Sequence, residues 1–149
     1  FESWYLLLLD GLTSSTDERL RAVAGRASKE IRYHLRHARQ WLVRLGDGTD
    51  ESHRRVQAGI DELWRFTGEM FAMDELDDWA AETGGAPALT ARRDTWNQNV
   101  STALAEATLA IPTNEWMASG GKQGSHTEHL GYMLAEMQFM QRAYPDATW

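Results

Sequence analysis

The stretch "KEIRYHLRH", Lys29 to His37, holds residue types that could do chemistry: a carboxylate at Glu30, with imidazoles at His34 and His37. A carboxylate and a neutral imidazole one helical turn apart project from one side of a helix and can share an iron or zinc ion. A dinuclear iron site built on a helical bundle asks for more. Two helices must each give Glu-x-x-His, and two others must each give a Glu. The third residue after Glu30 is Tyr33, whose phenol does not replace a neutral imidazole donor. On the next helix the best carboxylate is Glu62, followed at the same spacing by Arg65, a cation that would repel a metal. His126, Glu128 and His129 raise the same question, but they sit at a helix start beside a glycine-rich loop, where capping and solvent-facing polarity are the ordinary roles.

On a wheel of about 100° per residue with Ile31 at zero, Ala24, Ala27, Ala38, Leu42 and Leu45 lie within about 40° of it. His34, Trp41, Glu30 and His37 follow at about −60°, −80°, −100° and −120°, with Tyr33 further round. These four form a flank beside the apolar stripe. Glu30 and His34 read first as a satisfied buried polar network, with a metal site and an interface as the alternatives. Other chemistry has less support. No nucleophile elbow or catalytic triad is apparent. "SGGKQG" lacks the Ser or Thr that closes a phosphate loop, so Lys122 reads as loop solubility before phosphate contact. The residues therefore assign no catalytic, cofactor-binding or metal-binding position.

The elements that would carry this flank are helices throughout. Glu2 to Leu12 is a short helix, and Asp17 to Leu45 is one long rod with Leu20, Ala24, Ala27, Ile31, Leu35, Ala38, Leu42 and Leu45 at steps of three and four. "GDGT" stops the rod, and Thr49 caps a third helix running to about Met70. Asp74 to Glu82 and Thr90 to Leu109 follow. Pro112 opens an irregular stretch through "SGGKQG". A last helix starts at Ser125, where Ser125 and Glu128 form a capping box, and stops at Pro145. Nothing alternates at period two, so the expected fold is all-α, one helical domain over residues 1–149 made of stacked antiparallel helices.

Bulk properties narrow the partners. The formal charge is −7, from 22 acidic and 15 basic residues, which argues against nucleic acid. Charge is also sorted along the chain. Asp17–Leu45 holds eight Lys or Arg against three acids, and Asp61–Glu82 holds eight acids against one Arg. Lys29, Arg32, Arg36 and Arg39 read as a solvated face, the alternatives being docking to a charged partner or pairing with that acidic segment. There is no cysteine, which removes disulfides and thiolate chemistry. The longest apolar run, Trp4 to Leu9, is far below the roughly 18 residues of a membrane span, and no leader pattern precedes it. No membrane partner is expected. Phe1 opens directly into a helix that reads as buried, so a preceding portion of the bundle is expected to be missing. Seven tryptophans lean toward an oligomer.

"KEIRYHLRHARQWLVRLGDGTDESHRRVQAGIDELWRFTGEMF" (Lys29 to Phe71) resembles the C-subunit family of the bacterial phenylacetyl-CoA ring 1,2-epoxidase complexes. "HTEHLGYMLAEMQFMQRAYPDATW" and "FESWYLLLLDGL" are similar to its carboxyl end and to a helix near its middle. The resemblance implies a ferritin-like helical bundle, here without its amino-terminal helices, in a cytoplasmic protein of aerobic phenylacetate degradation. It implies a non-catalytic structural subunit that scaffolds a catalytic A subunit. The di-iron centre is expected in that partner, no cofactor is expected in this chain, and a separate reductase supplies electrons. Self-association is a further expectation. Iron-binding relatives carry an acid-Glu-x-Arg-His motif. Lys29, Glu30, Ile31, Arg32 and Tyr33 stand at those positions, so the ligand histidine is replaced by Tyr33. The alternatives are an autonomous di-iron carboxylate oxygenase and a helical adaptor unrelated to oxygenase chemistry.

Overall fold

Asp17 starts the central element. Its carboxylate accepts from the backbone N–H groups of Arg19 at 2.7 Å and Leu20 at 3.1 Å, which satisfies donors the first helical turn leaves over. The helix that follows, α2 (Glu18–Gly46), has 29 residues and is about 43 Å long at 1.5 Å per residue. Asp17→Ala removes this cap from an exposed turn and is expected to cost about 1 kcal/mol in urea unfolding. The structure is a computed structural model describing residues 1–113 and 116–148. It divides into two compact units, Phe1–Ala118 and Ser119–Trp149.

In the first unit α1 (Glu2–Leu12), α3 (Asp50–Leu63), α4 (Glu75–Glu82) and α5 (Arg93–Glu106) accompany α2. The core has two parts, one toward each end of α2. Ala24 and Ile31 pack with Leu9 of α1, backed by Tyr5, Leu6, Leu12 and Ala27. Small residues let the two helices approach here. Ser28 is buried beside them and satisfies its hydroxyl on the Ala24 carbonyl at 2.7 Å. Toward the other end, Leu42 and Val43 join Val56, Ile60 and Trp64 around the buried Leu104, Ala107 and Leu109. Gly46 is buried there, and the close approach of the Ala107 carbonyl oxygen leaves no room for a Cβ. The Gly46 carbonyl accepts from the Thr108 hydroxyl at 3.2 Å and lies 2.7 Å from His53 Nδ1, so the α2–α3 corner is tied to the end of α5.

The turn between α1 and α2 is fastened to the turn after α4. The buried Ser15 hydroxyl donates to the Gly85 carbonyl at 2.5 Å, the Thr16 N–H donates to the Gly84 carbonyl at 2.8 Å, and Gly84 adopts φ +73°. The second unit holds α6 (His129–Met137) and α7 (Phe139–Ala143). Every regular element among the described residues is helical, and the fold is an all-α bundle as expected.

Several expected boundaries move. The first two helices and the Thr49 cap lie where the pattern puts them, the Thr49 cap as a reciprocal box with Ser52. The third helix does not reach Met70. It ends at Leu63 and continues as short 3₁₀ turns, Trp64–Phe66 and Gly68–Phe71. The Thr67 hydroxyl donates to the Trp64 carbonyl at 2.8 Å, and Trp64 and Phe71 both close on Trp96, at 5.8 and 5.4 Å between ring centroids. Aromatic packing from α5 overrides the helical period. The fifth helix starts at Arg93 and ends at Glu106, just before Thr108 turns to φ 60°. The Ser125–Glu128 capping box does not form: the Ser125 N–H donates to the Gly120 carbonyl at 2.9 Å, and α6 begins only at His129, with no side-chain cap from Glu128. Gln138 interrupts the last helix into α6 and α7. Part of the expected irregular stretch, residues 114 and 115, lies outside the described residues.

Candidate functional site

Within this chain the flank of α2 bearing Glu30, His34, His37 and Trp41 is left open, and the expected buried polar network of Glu30 and His34 does not form among the described residues. Glu30, His37 and Trp41 are exposed and His34 is half-buried. No described helix covers this side, because α1 occupies one part of the Ile31 stripe and α3 and α5 occupy another. Ala38, Leu20 and Leu45 are exposed for the same reason. Periodicity places residues on a face; only a neighbour buries that face.

The geometry that results is a ladder of rings. Tyr33 stacks on His37 at 6.3 Å, and His37 meets Trp41 edge-on at 6.4 Å. Arg36 lies over the Tyr33 ring and Arg44 over the Trp41 ring, each at 5.6 Å. His34 Nε2 stands 3.9 Å from Glu30 Oε1, a loose pair whose carboxylate is largely in water. Screening by solvent leaves an ion pair of this kind little holding power.

A metal would need these donors to converge with others. Among the described residues no three His, Cys, Asp or Glu side chains come together as an ion site. Tyr33 sits where a third-position imidazole would be needed and is 58% exposed, with its ring engaged along the ladder and under Arg36. Glu62 is exposed on α3, and Arg65 lies over Phe66 and Trp116, at 4.9 and 5.9 Å. His126, Glu128 and His129 are exposed in the second unit. The donor set on α2 therefore does not fit a dinuclear iron centre.

Two arginines of the α2 face form ion pairs with the neighbouring helices α1 and α5. Arg32 bonds Asp10 of α1 at 2.7 Å, and Arg39 bonds Glu106 of α5 through both Nε and Nη2, at 3.0 and 2.6 Å. They flank a cleft of about 560 Å³ on α2. Nothing in a linear pattern of arginines indicates that carboxylates from α1 and α5 would reach them. Sequence reasoning also passes over His53, whose signal was only its place one turn into the helix that Thr49 caps. A second cleft, of about 430 Å³, opens between the first turn of α1, α2 and α5, with Phe1, Leu35, Leu42, Val100 and Leu104 supplying apolar lining.

Fold and site together define an all-α bundle protein whose central helix carries Glu30 with a phenol at the third position after it, and among the described residues no set of metal ligands converges there. The chain belongs to the phenylacetic acid catabolic protein family, whose model matches residues 1–149. It is 46% identical over 148 residues to the C subunit of 1,2-phenylacetyl-CoA epoxidase from Escherichia coli (strain K12), a match covering 99% of this chain and 60% of that relative. The chain thus spans about 60% of the length of the curated relative it matches. No helix among the described residues is long and apolar enough to cross a membrane.

Proposed function

We propose that this chain is part of a non-catalytic structural subunit of a phenylacetyl-CoA ring 1,2-epoxidase, scaffolding the di-iron catalytic A subunit in aerobic phenylacetate degradation. In this reading residues 1–149 belong to a single ferritin-like domain, no residue of the chain is catalytic or a metal ligand, the assembly is cytoplasmic, and a separate reductase delivers electrons. The observation that carries it is Tyr33. The helix retains Glu30 and Arg32 of the iron-binding pattern but offers a phenol, stacked with His37, in place of the imidazole. Likeness to a protein named as the epoxidase's C subunit supports the same reading.

What such a scaffold adds is position. Reacting groups in a preorganised site lose much of their advantage when displaced by about 1 Å, so a rigid bundle packed on the catalytic one preserves rate without touching the substrate. The long α2 rod, fixed near both ends by separate core clusters, suits that role.

The test is to reconstitute the full-length protein with ferrous iron, measure bound metal, and ask whether it co-purifies with an iron-bearing helical protein. Co-purification with no stoichiometric iron in this chain is the expected result. About two irons per chain in an oxygen-responsive centre would instead establish an autonomous di-iron protein. Iron-free protein that joins no such partner would establish an unrelated adaptor. Tyr33→His is expected to give no turnover without the catalytic partner, because one restored imidazole does not supply the remaining ligands. Product formation by that variant alone, followed by chromatography of the CoA thioester, would overturn the reading.

A further inference from the structure

The chain just past α5 is closed onto the rest of the first unit in a conformation that its own backbone disfavours. Among the described residues Thr108 is the one non-glycine residue at positive φ, at 60°. It stands two residues past Glu106, where α5 ends. The bonds around it are those of a glycine-type helix stop. The Leu109 N–H donates to the Leu104 carbonyl at 2.9 Å, and the Thr108 N–H donates to the Ala105 carbonyl at 3.1 Å. Glycine is the usual residue at this turn because a Cβ is crowded there, and a β-branched side chain is crowded most.

Threonine offers what glycine lacks, a hydroxyl. It donates to the Gly46 carbonyl at 3.2 Å, the oxygen that also lies 2.7 Å from His53 Nδ1. Two residues further on, Gln57 of α3 holds both backbone groups of Ala110. Its Oε1 accepts from the Ala110 N–H at 2.9 Å, and its Nε2 donates to the Ala110 carbonyl at 3.1 Å. Nε2 donates as well to Asp61 Oδ1 at 2.9 Å, which fixes the direction of the amide. Between these two ties Leu109 is 7% exposed, in the cluster with Leu104 and Ala107.

These contributions oppose one another. Strain at Thr108 favours rotation out of the left-handed region, which would break the Leu109–Leu104 bond and draw Ala110 away from Gln57. The Thr108 hydroxyl, the Gln57 amide and the burial of Leu109 favour staying. Every group named is in contact with another residue of this chain, so the balance requires no face of the chain to be open.

We propose that Thr108–Ala110 is a strained clasp, closed by the Thr108 hydroxyl and the Gln57 amide, through which the end of α5 is released from Gly46 and Gln57 while the helices stay folded. A joint of this kind opens at a free energy below that of global unfolding, and Thr108 and Gln57 set how often it does. The inference does not rest on the scaffold reading, since it concerns contacts within the chain alone.

The test is native-state hydrogen exchange on the full-length protein, read at the Leu109 and Ala110 amides against amides in the middle of α2 and α5, each corrected for its intrinsic rate. In wild type, Leu109 and Ala110 are expected to exchange faster than the mid-helix amides and with little dependence on low concentrations of urea, the mark of local opening. Thr108→Val keeps the branching and removes the hydroxyl, and should speed exchange at both by about fivefold. Gln57→Leu removes both bonds to Ala110 and should speed it by about tenfold. Thr108→Ala and Thr108→Gly both lack the hydroxyl, but only alanine retains the strain. The glycine variant should therefore exchange about fivefold more slowly than the alanine variant. Circular dichroism checks that each variant keeps its helices, and the alanine–glycine comparison decides the question even where Gln57→Leu does not fold. Leu109 and Ala110 amides that exchange only with global unfolding would overturn the proposal. So would equal exchange in the alanine and glycine variants, or a folded Gln57→Leu with Ala110 exchange unchanged. Faster exchange that extends equally to the mid-helix amides would overturn it too, because the variants would then be loosening the whole bundle.

Discussion

Ile31→Asp is expected to destabilise the first unit by more than about 3 kcal/mol, enough to unfold a marginally stable domain at ordinary temperature. Ile31 is 8% exposed and packs with Leu9 and Ala24 in the cluster that joins α1 to α2. Aspartate there loses the apolar contact of the isoleucine and places a carboxylate among apolar side chains. Arg32, the nearest cation in sequence, is already bonded to Asp10 at 2.7 Å. Ile31→Ala isolates the packing part and should cost about 2 kcal/mol, near the lower end of large-to-small core changes because the site is not wholly enclosed. Chemical unfolding followed by circular dichroism separates the two. A cost for the aspartate no larger than for the alanine would mean that Ile31 is not enclosed by α1.

Trp96→Ala should cost about 3 to 5 kcal/mol. Trp96 is 5% exposed and is the ring on which Trp64 and Phe71 both close. Its loss opens a cavity under the two 3₁₀ turns that follow α3, so Trp64–Phe71 should become the first segment to exchange its amides. Trp96→Phe is the informative companion. The indole Nε1 is buried without a hydrogen-bond partner among the described residues. Phenylalanine removes that donor while keeping most of the contact, and a cost below about 1.5 kcal/mol is expected. Equal costs for the two variants would show that the indole nitrogen, and not ring volume, holds the turns in place.

These expectations draw on different levels of structure. Helix starts whose caps are local were legible in order: Asp17 bonds groups two and three residues on, and Thr49 pairs with Ser52. The central rod was legible too, since a stripe at steps of three and four over nearly thirty residues admits no competing period. The absent imidazole at Tyr33 needed no coordinates. The Ser125–Glu128 box failed because the same spacing is equally compatible with a glycine turn, and Gly120 and Gly124, both at positive φ, form one.

By itself the sequence determined that this is an all-α chain with one long central helix, where most of its helices begin, and which imidazole its Glu30 lacks. Those features are set by bonds and periods within a few residues. Tertiary structure alone decided that no other described helix covers the Glu30–His34–His37–Trp41 flank, that α3 yields to Trp96 after Leu63, and that Asp10 and Glu106 take Arg32 and Arg39. Each depends on residues distant in sequence arriving at one place. A helical period fixes which side chains share a face but carries no information about what covers it.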